Sequence, residues 1–216
     1  MSVNILEKEY SIATTTELDL SCKNLTEMPE SIGMLTNLET LYLDNNNLTE
    51  LPESIGSLSN LQHLYLHDNK LTSLPESIGR LSNLQRLNLQ NNNLTNLPES
   101  IESLSNLEYL YLYNNNLTRL PESIESLSNL EYLYLYNNNL TSLPESIKTL
   151  TKIKALYLDE SAYEINNLSM NCHTLVLTSI KNNITNLPPL LKILYLKSNI
   201  NVDMIKIPYG CDIIRF

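Results

Sequence analysis

Residues 106–128 read NLEYLYLYNNNLTRLPESIESLS, and the next 23 residues, Asn129 to Thr151, repeat them at all but four positions. That near-duplication decides the architecture. A unit this short cannot bury an apolar side alone, so copies must stack into a continuous core. Aligning on the leucines extends the pattern LxxLxLxxNxLTxLPxSIxxLxN to Leu38–Leu41–Leu43–Asn46–Leu48, Leu61–Leu64–Leu66–Asn69–Leu71 and Leu84–Leu87–Leu89–Asn92–Leu94. Leu107 to Leu117 and Leu130 to Leu140 complete five near-perfect copies. One unit earlier Leu18, Leu20 and Leu25 hold the phase with Lys23 in the asparagine position. One unit later Ile153, Leu156 and Leu158 hold it with Ser161 there.

In LxL the two leucines point to one face of a strand and the residue between them to the other. Strands at constant spacing then stack as a parallel sheet, and the LPESIxxL segment carries the chain back behind it. Proline suits the first turn of a helix, and the following glutamate suits its positive end. The return is therefore expected as a short helix or 3-10 turn with Leu51, Ile55, Leu58 and their equivalents facing in. The recurring asparagine bends the chain out of the strand, its buried amide satisfying backbone groups as a ladder between repeats. Gly33, Gly56 and Gly79 fall 23 apart and belong to the repeat.

The period then shortens: Leu156 to Leu175 and Leu175 to Leu194 are 19 residues each. In LPPLLKILYL (187–196) a second proline replaces the SIxxL segment, so the backing is expected to be thinner and extended after about residue 160. The final IPYGCDIIRF repeats that stretch at a spacing of 20, which predicts a tenth strand over Asp212 to Phe216 with Phe216 level with Leu196. Val3, Ile5, Leu6 and Ile12 are the expected N-terminal cover, in a segment of moderate helix propensity. The expected organisation is a cap over 1–14, six 23-residue repeats over 15–152, shortened repeats over 153–200, and a C-terminal strand over 201–216.

This pattern resembles the leucine-rich-repeat family, and its LPxSIxxL half resembles the Ras-suppressor type of intracellular repeat. The shortened units look like those of some bacterial leucine-rich-repeat proteins. The Asn, Ile, Tyr and Lys content is similar to that of leucine-rich-repeat proteins of giant DNA viruses. The resemblance implies an α/β solenoid, a curved parallel sheet on the concave face with short helices or 3-10 turns on the convex one. It also implies a protein partner, with small GTPases, phosphatases and their regulators as candidates.

A net charge of −10 argues against nucleic-acid binding, which needs clustered Lys and Arg. Cys22, Cys172 and Cys211 are too scattered for a disulfide framework or a zinc site. No segment has the ~20 apolar residues needed to span a bilayer, and the N-terminus has no apolar run of signal-peptide length. The expectation is an intracellular, cytoplasmic, soluble protein without a cofactor. Seven Asn-x-Ser/Thr sequons follow from the repeat's own NNLT turn and are read as structural. No phosphate-binding glycine loop and no nucleophile elbow occurs. Cys172 and His173, neighbours on a strand, point to opposite faces. Catalysis is not expected.

Two surfaces repeat. The convex one carries Glu30, Glu53, Glu76, Glu99, Glu122 and Glu145, which helix-terminus chemistry explains. The sheet face is more informative. Its middle positions are Asp19, Tyr42, Tyr65, Asn88, Tyr111, Tyr134, Tyr157, Val176, Tyr195 and Arg215. Tyr109, Tyr113, Tyr132 and Tyr136 flank two of them, so six tyrosines form a block two strands wide. Tyrosine is favoured at interface hot spots because it offers a large rigid area with a polar tip. The candidate partner-binding residues are these six with Tyr42, Tyr65 and Tyr157. His63, His67 and Arg86 join them on the N-terminal side, opposite Asp159 and Glu160 on the C-terminal side. A stacking ladder that only supports the sheet, or a duplication without use, is the competing account. A second function class is an architectural repeat that self-associates end to end through an open C-terminal strand, against a monomer as the simpler expectation.

Overall fold

The structure, a computed structural model, describes residues 1–159, 172–180 and 183–216. The chain opens with β1 (Ser2–Ile5) and β2 (Lys8–Ser11), an antiparallel hairpin in which Val3 faces Tyr10. This corrects the helical expectation for the first residues. Val3 and Ile5 are buried with Asn4 exposed between them, the period of two that belongs to a strand. The two-residue turn holds Leu6 at φ 50° and Glu7 at φ 66°, the left-handed pair that a tight hairpin needs. Leu6 therefore stands out in solvent, while Ile12 packs partly buried against the core with Val3 and Ile5.

Ten strands follow in one parallel sheet whose spatial order is the chain order. They are β3 (Glu17–Asp19), β4 (Thr40–Tyr42), β5 (His63–Tyr65), β6 (Arg86–Asn88), β7 (Tyr109–Tyr111) and β8 (Tyr132–Tyr134). Then come β9 (Ala155–Leu158), β10 (Thr174–Leu177), β11 (Ile193–Leu196) and β12 (Asp212–Arg215). The register carries Leu18 to Leu41, Leu64, Leu87, Leu110, Leu133, Leu156, Leu175 and Leu194 as one line. Every one of these leucines is buried, and together with the return-segment residues they form one core cluster.

Six return segments, from Glu30–Met34 to Glu145–Thr149, are five-residue 3-10 turns, each entered from a proline in extended conformation. Ile55 N–H donates to Pro52 and Leu58 N–H to Ile55, which closes the turn in the short space available. Leu51, Ile55 and Leu58 face inward as expected. Where the segment carries glycine the turns approach closely: a Cβ on Gly56 would lie 2.5 Å from the Ser77 carbonyl oxygen. Beyond β9 the return over residues 160–171 lies outside the described residues, and with it the expected thinning there. Ile184 bridges Ile205 in parallel, and a three-residue turn at Val202–Met204 is all the 3-10 structure among the described residues after β9.

The asparagines hold consecutive units in phase. Asn92 donates to the carbonyls of Leu89 in its own unit and Leu66 in the one before, at 3.1 and 2.9 Å. Its Oδ1 accepts from Leu71 N–H at 3.0 Å. Asn46, Asn69, Asn115 and Asn138 repeat this arrangement, and all five are buried. The residue before each (Asn45, Asp68, Asn91, Asn114 and Asn137) has φ between 54° and 56°. Asn and Asp reach that region more readily than other side chains, so the run of asparagines serves a turn and a ladder at adjacent positions.

The last strand departs from expectation by one residue. Ile214, not Arg215, pairs with Tyr195, and Arg215 pairs with Leu196. The spacing is thus 19, as in the two units before, and a one-residue slip exchanges the two faces. Arg215 consequently leaves the outward row and donates to the carbonyls of Lys197, Ser198 and Ile200.

Two outcomes test this account. Asn92→Ala leaves Leu71 N–H without its partner, while the Leu66 and Leu89 carbonyls keep a second donor in Asn69 and Asn115. One buried group left unpaired costs roughly 1–3 kcal/mol, so denaturant unfolding should show a loss of about that size. Leu6→Asn with Glu7→Gly relieves two left-handed residues and should raise stability by roughly 1–2 kcal/mol, read as a higher melting temperature.

Candidate functional site

Because the units stack in phase, each outward position becomes a row across the sheet. In the middle row Tyr42 and Tyr65 stack at 4.9 Å between ring centroids and 3° between planes. Asn88 interrupts it, its Oδ1 accepting from Gln90 N–H at 3.3 Å so that the amide folds onto its own strand. Stacking resumes with Tyr111–Tyr134 at 4.5 Å and Tyr134–Tyr157 at 4.0 Å. In the row before it Arg86 lies 4.3 Å over the Tyr109 ring, which stacks on Tyr132 at 4.7 Å. In the row after it Tyr113 stacks on Tyr136 at 4.5 Å. These spacings match the ~4.8 Å between strands, so each ring sits directly over its neighbour.

All twelve candidate residues stand half-buried on this one face. Burial pushes the Tyr111, Tyr113, Tyr134 and Tyr136 phenols above their ordinary range. Tyr134 also donates to Tyr157, and Tyr136 to Tyr113, which favours their protonated forms. Burial, and then the Arg86 charge, hold the His63 imidazole below its usual value. His67 Nε2 lies 3.6 Å from the Asp44 carboxylate.

His63, His67 and Arg86 lie on the N-terminal side of the tyrosine block, on β5, the turn after it and β6, and further charges lie beyond them. Glu17, Asp19, Glu39 and Asp44 lie on or beside β3 and β4, whereas Lys154, Lys192 and Lys197 lie beside β9 and β11. Asp159, the expected C-terminal counterpart, directly follows β9 and accepts from Asn137 N–H at 2.7 Å. Glu160 lies outside the described residues. The convex glutamates are structural as expected: Glu30, Glu53 and Glu76 each accept from a serine N–H of the next unit at 3.2–3.3 Å.

A feature the sequence reading missed lies at the C-terminal end of the face. Tyr132, Ala155, Tyr157, Thr174, Val176, Tyr195 and Phe216 line a depression of about 470 Å³. Ala155 and Thr174 end the row of Tyr109 and Tyr132, Val176 breaks the middle row after Tyr157, and these three small side chains lie between the flanking rings. Phe216 reaches the face only through the 19-residue register. Continuing the Leu156–Leu175–Leu194 spacing one more step to Ile213 was the signal available for it.

Cys172 is buried, donates to the Thr174 carbonyl at 2.8 Å and has its thiol pushed up to about 11 by burial, while His173 is exposed. Among the described residues no group of three or more His, Cys, Asp or Glu could hold a metal ion, and no helix is long and apolar enough to cross a membrane.

The model of a leucine-rich repeat region matches residues 17–91 and 99–200. The chain belongs to the leucine-rich-repeat family. A single leucine-rich-repeat model also matches residues 83–104. No curated protein matches the chain. Among solved structures it is similar to the leucine-rich-repeat domain of the type III effector XopL, at 27% identity and a TM-score of 0.75, covering 93% of this chain and 76% of that one. A leucine-rich-repeat protein of Leptospira interrogans is 29% identical, with a TM-score of 0.55 and 94% and 68% of the two chains covered. A plant peptide-hormone receptor, RGFR1 in complex with RGF2, is 25% identical with a TM-score of 0.63, covering 92% of this chain and 40% of the receptor.

The raised phenols give a pH signature. Unfolded tyrosines ionise near pH ~10, so the stability these four contribute is fully present below that pH and is lost as pH rises toward their folded values. Ultraviolet titration of the native protein should show at least four phenols ionising above the rest, together with alkaline unfolding that starts above about pH 10.

Proposed function

We propose that this chain is a non-catalytic interaction module that holds a protein partner on its tyrosine-rich sheet face. The observation that carries the reading is the block of Tyr109, Tyr111, Tyr113, Tyr132, Tyr134 and Tyr136, six large rings side by side on an outward surface. Their stacking supports the sheet, and it also supports binding. Rings already held by their neighbours have little freedom left to lose when a partner covers them, and tyrosine gives contact area with a hydroxyl at its tip.

Likeness to a peptide-hormone receptor in complex with RGF2 and to an effector domain is consistent with occupancy rather than chemistry. The Ras-suppressor type of return segment makes small GTPases and phosphatase regulators the first partners to try, in a cytoplasmic setting. A second reading, self-association through β12, draws on one observation: Ile213 and Ile214 on that outer strand, and Phe216 next to it, are 39%, 39% and 54% exposed. Sedimentation across a concentration series separates the two.

The deciding variant is Tyr111→Ser with Tyr134→Ser. Loss of two hot-spot rings should cost a partner roughly 2 kcal/mol or more each, so capture from cell extract should fall to background while Glu122→Gln on the convex side retains it. A double variant that melts lower yet captures the same protein in full would reduce the rings to a supporting ladder.

A further inference from the structure

We infer that the depression between Tyr157 and Tyr195 is an anchor site for an acidic segment of the protein partner, which inserts one bulky apolar side chain there. This deepens the interaction reading above and rests on it. Shape is the first argument. The rings of Tyr132 and Tyr157 end the stacked rows on one side, Tyr195 and Phe216 rise on the other, and Ala155, Thr174 and Val176 leave the floor low between them. The cavity of about 470 Å³ falls within the range that apolar ligand groups fill. Elsewhere on the face neighbouring tyrosines pack ring on ring.

Charge is the second argument and fixes the occupant. Eight of the fourteen Lys and Arg residues, but only five of the twenty-four Asp and Glu, fall after Ile147. Lys154 shows where a side chain at its position in the unit goes: its Nζ reaches to 5.9 Å from the Tyr132 ring on the preceding strand. Lys192 holds the same position beside β11, and Lys197 flanks that strand's other end. Both are exposed, and neither forms an ion pair among the described residues. The nearby carboxylates are mostly occupied. Among the described residues Glu131 pairs with Lys154 at 2.6 Å and Asp159 accepts from Asn137, which leaves Asp212 on β12. An apolar cleft lined by a strand that two exposed lysines flank favours a group that is apolar at its tip and anionic at its base.

The test uses two probes with the same ring and opposite charge, 3-phenylpropanoate and 3-phenylpropylamine, titrated into the full chain. Methyl resonances of Ala155, Thr174 and Val176 report on the floor of the cleft. The carboxylate probe should shift them saturably and bind at least about fivefold tighter than the amine, with the preference abolished in Lys192→Glu/Lys197→Glu. Ala155→Tyr extends the ring row from Tyr132 and fills the cleft, and Thr174→Tyr fills it from the next strand. Whichever keeps the wild-type melting temperature should lose the response. No saturable shift, equal affinity for the two probes, or binding that survives filling would overturn the inference. So would shifts of the same methyls with protein concentration alone, since a second copy would then be the occupant. None of these outcomes touches partner capture through Tyr111 and Tyr134, so the two readings fail separately.

Discussion

The structure depends on the hydrogen bonds that cross from each unit to the next at the end of its strand. There the chain leaves the sheet, and carbonyls such as those of Leu66 and Leu89 would be buried without partners. The Asn92 amide reaches both, and its oxygen takes Leu71 N–H in return. An amide is the group that can do this, because it offers two donors and an acceptor on a short stem. Displacing one unit against its neighbour breaks these bonds together with the strand ladder, so register is held at the turn as firmly as in the sheet.

Fixed register has a further consequence: a single outward residue type becomes a row. Tyrosines 23 residues apart in the chain lie one strand apart in space, at the separation where aromatic rings stack. Such pairs contribute ~0.5–1.5 kcal/mol beyond their buried area. The same geometry that strengthens the sheet presents its surface as a rigid plate of rings, so support and recognition need not compete. Where the row ends, at Ala155 and Thr174, the plate has a step, and that step is the depression lined by Tyr195 and Phe216.

The backing shows how sequence tunes spacing on the other side. Gly33, Gly56 and Gly79 allow their turns to approach the next serine to distances a Cβ would forbid. Ser54, Ser77 and Ser100, opposite those glycines, have buried hydroxyls with no partner among the described residues. Ser123 and Ser146 sit opposite Glu102 and Glu125, and their hydroxyls bond to Glu99 and Glu122. Close packing of the backbone at the first three turns thus exchanges for side-chain hydrogen bonding at the later ones.

The repeat by itself determined the parallel sheet, its ten strands, the inward leucines, the asparagine ladder and the shared face of the twelve candidate residues. Each of these is periodic, and a periodic signal survives being read one unit at a time. Tertiary structure alone decided what is not periodic. The first residues form a hairpin because Val3 and Ile5 must both cover the open end of the core, a demand that outweighs local helix propensity. The last strand takes the 19-residue register because the ladder to β11 and the carbonyls that Arg215 satisfies set its phase, against the spacing of 20 that the match of IPYGCDIIRF to LPPLLKILYL indicated. The depression at Val176 exists because residues from five successive units, Tyr132 on β8 through Phe216 next to β12, meet there, and no single unit contains it. Strand-to-strand neighbourhood sets which small side chains lie beside which large ones, and that is a property of the stacked units rather than of any one of them.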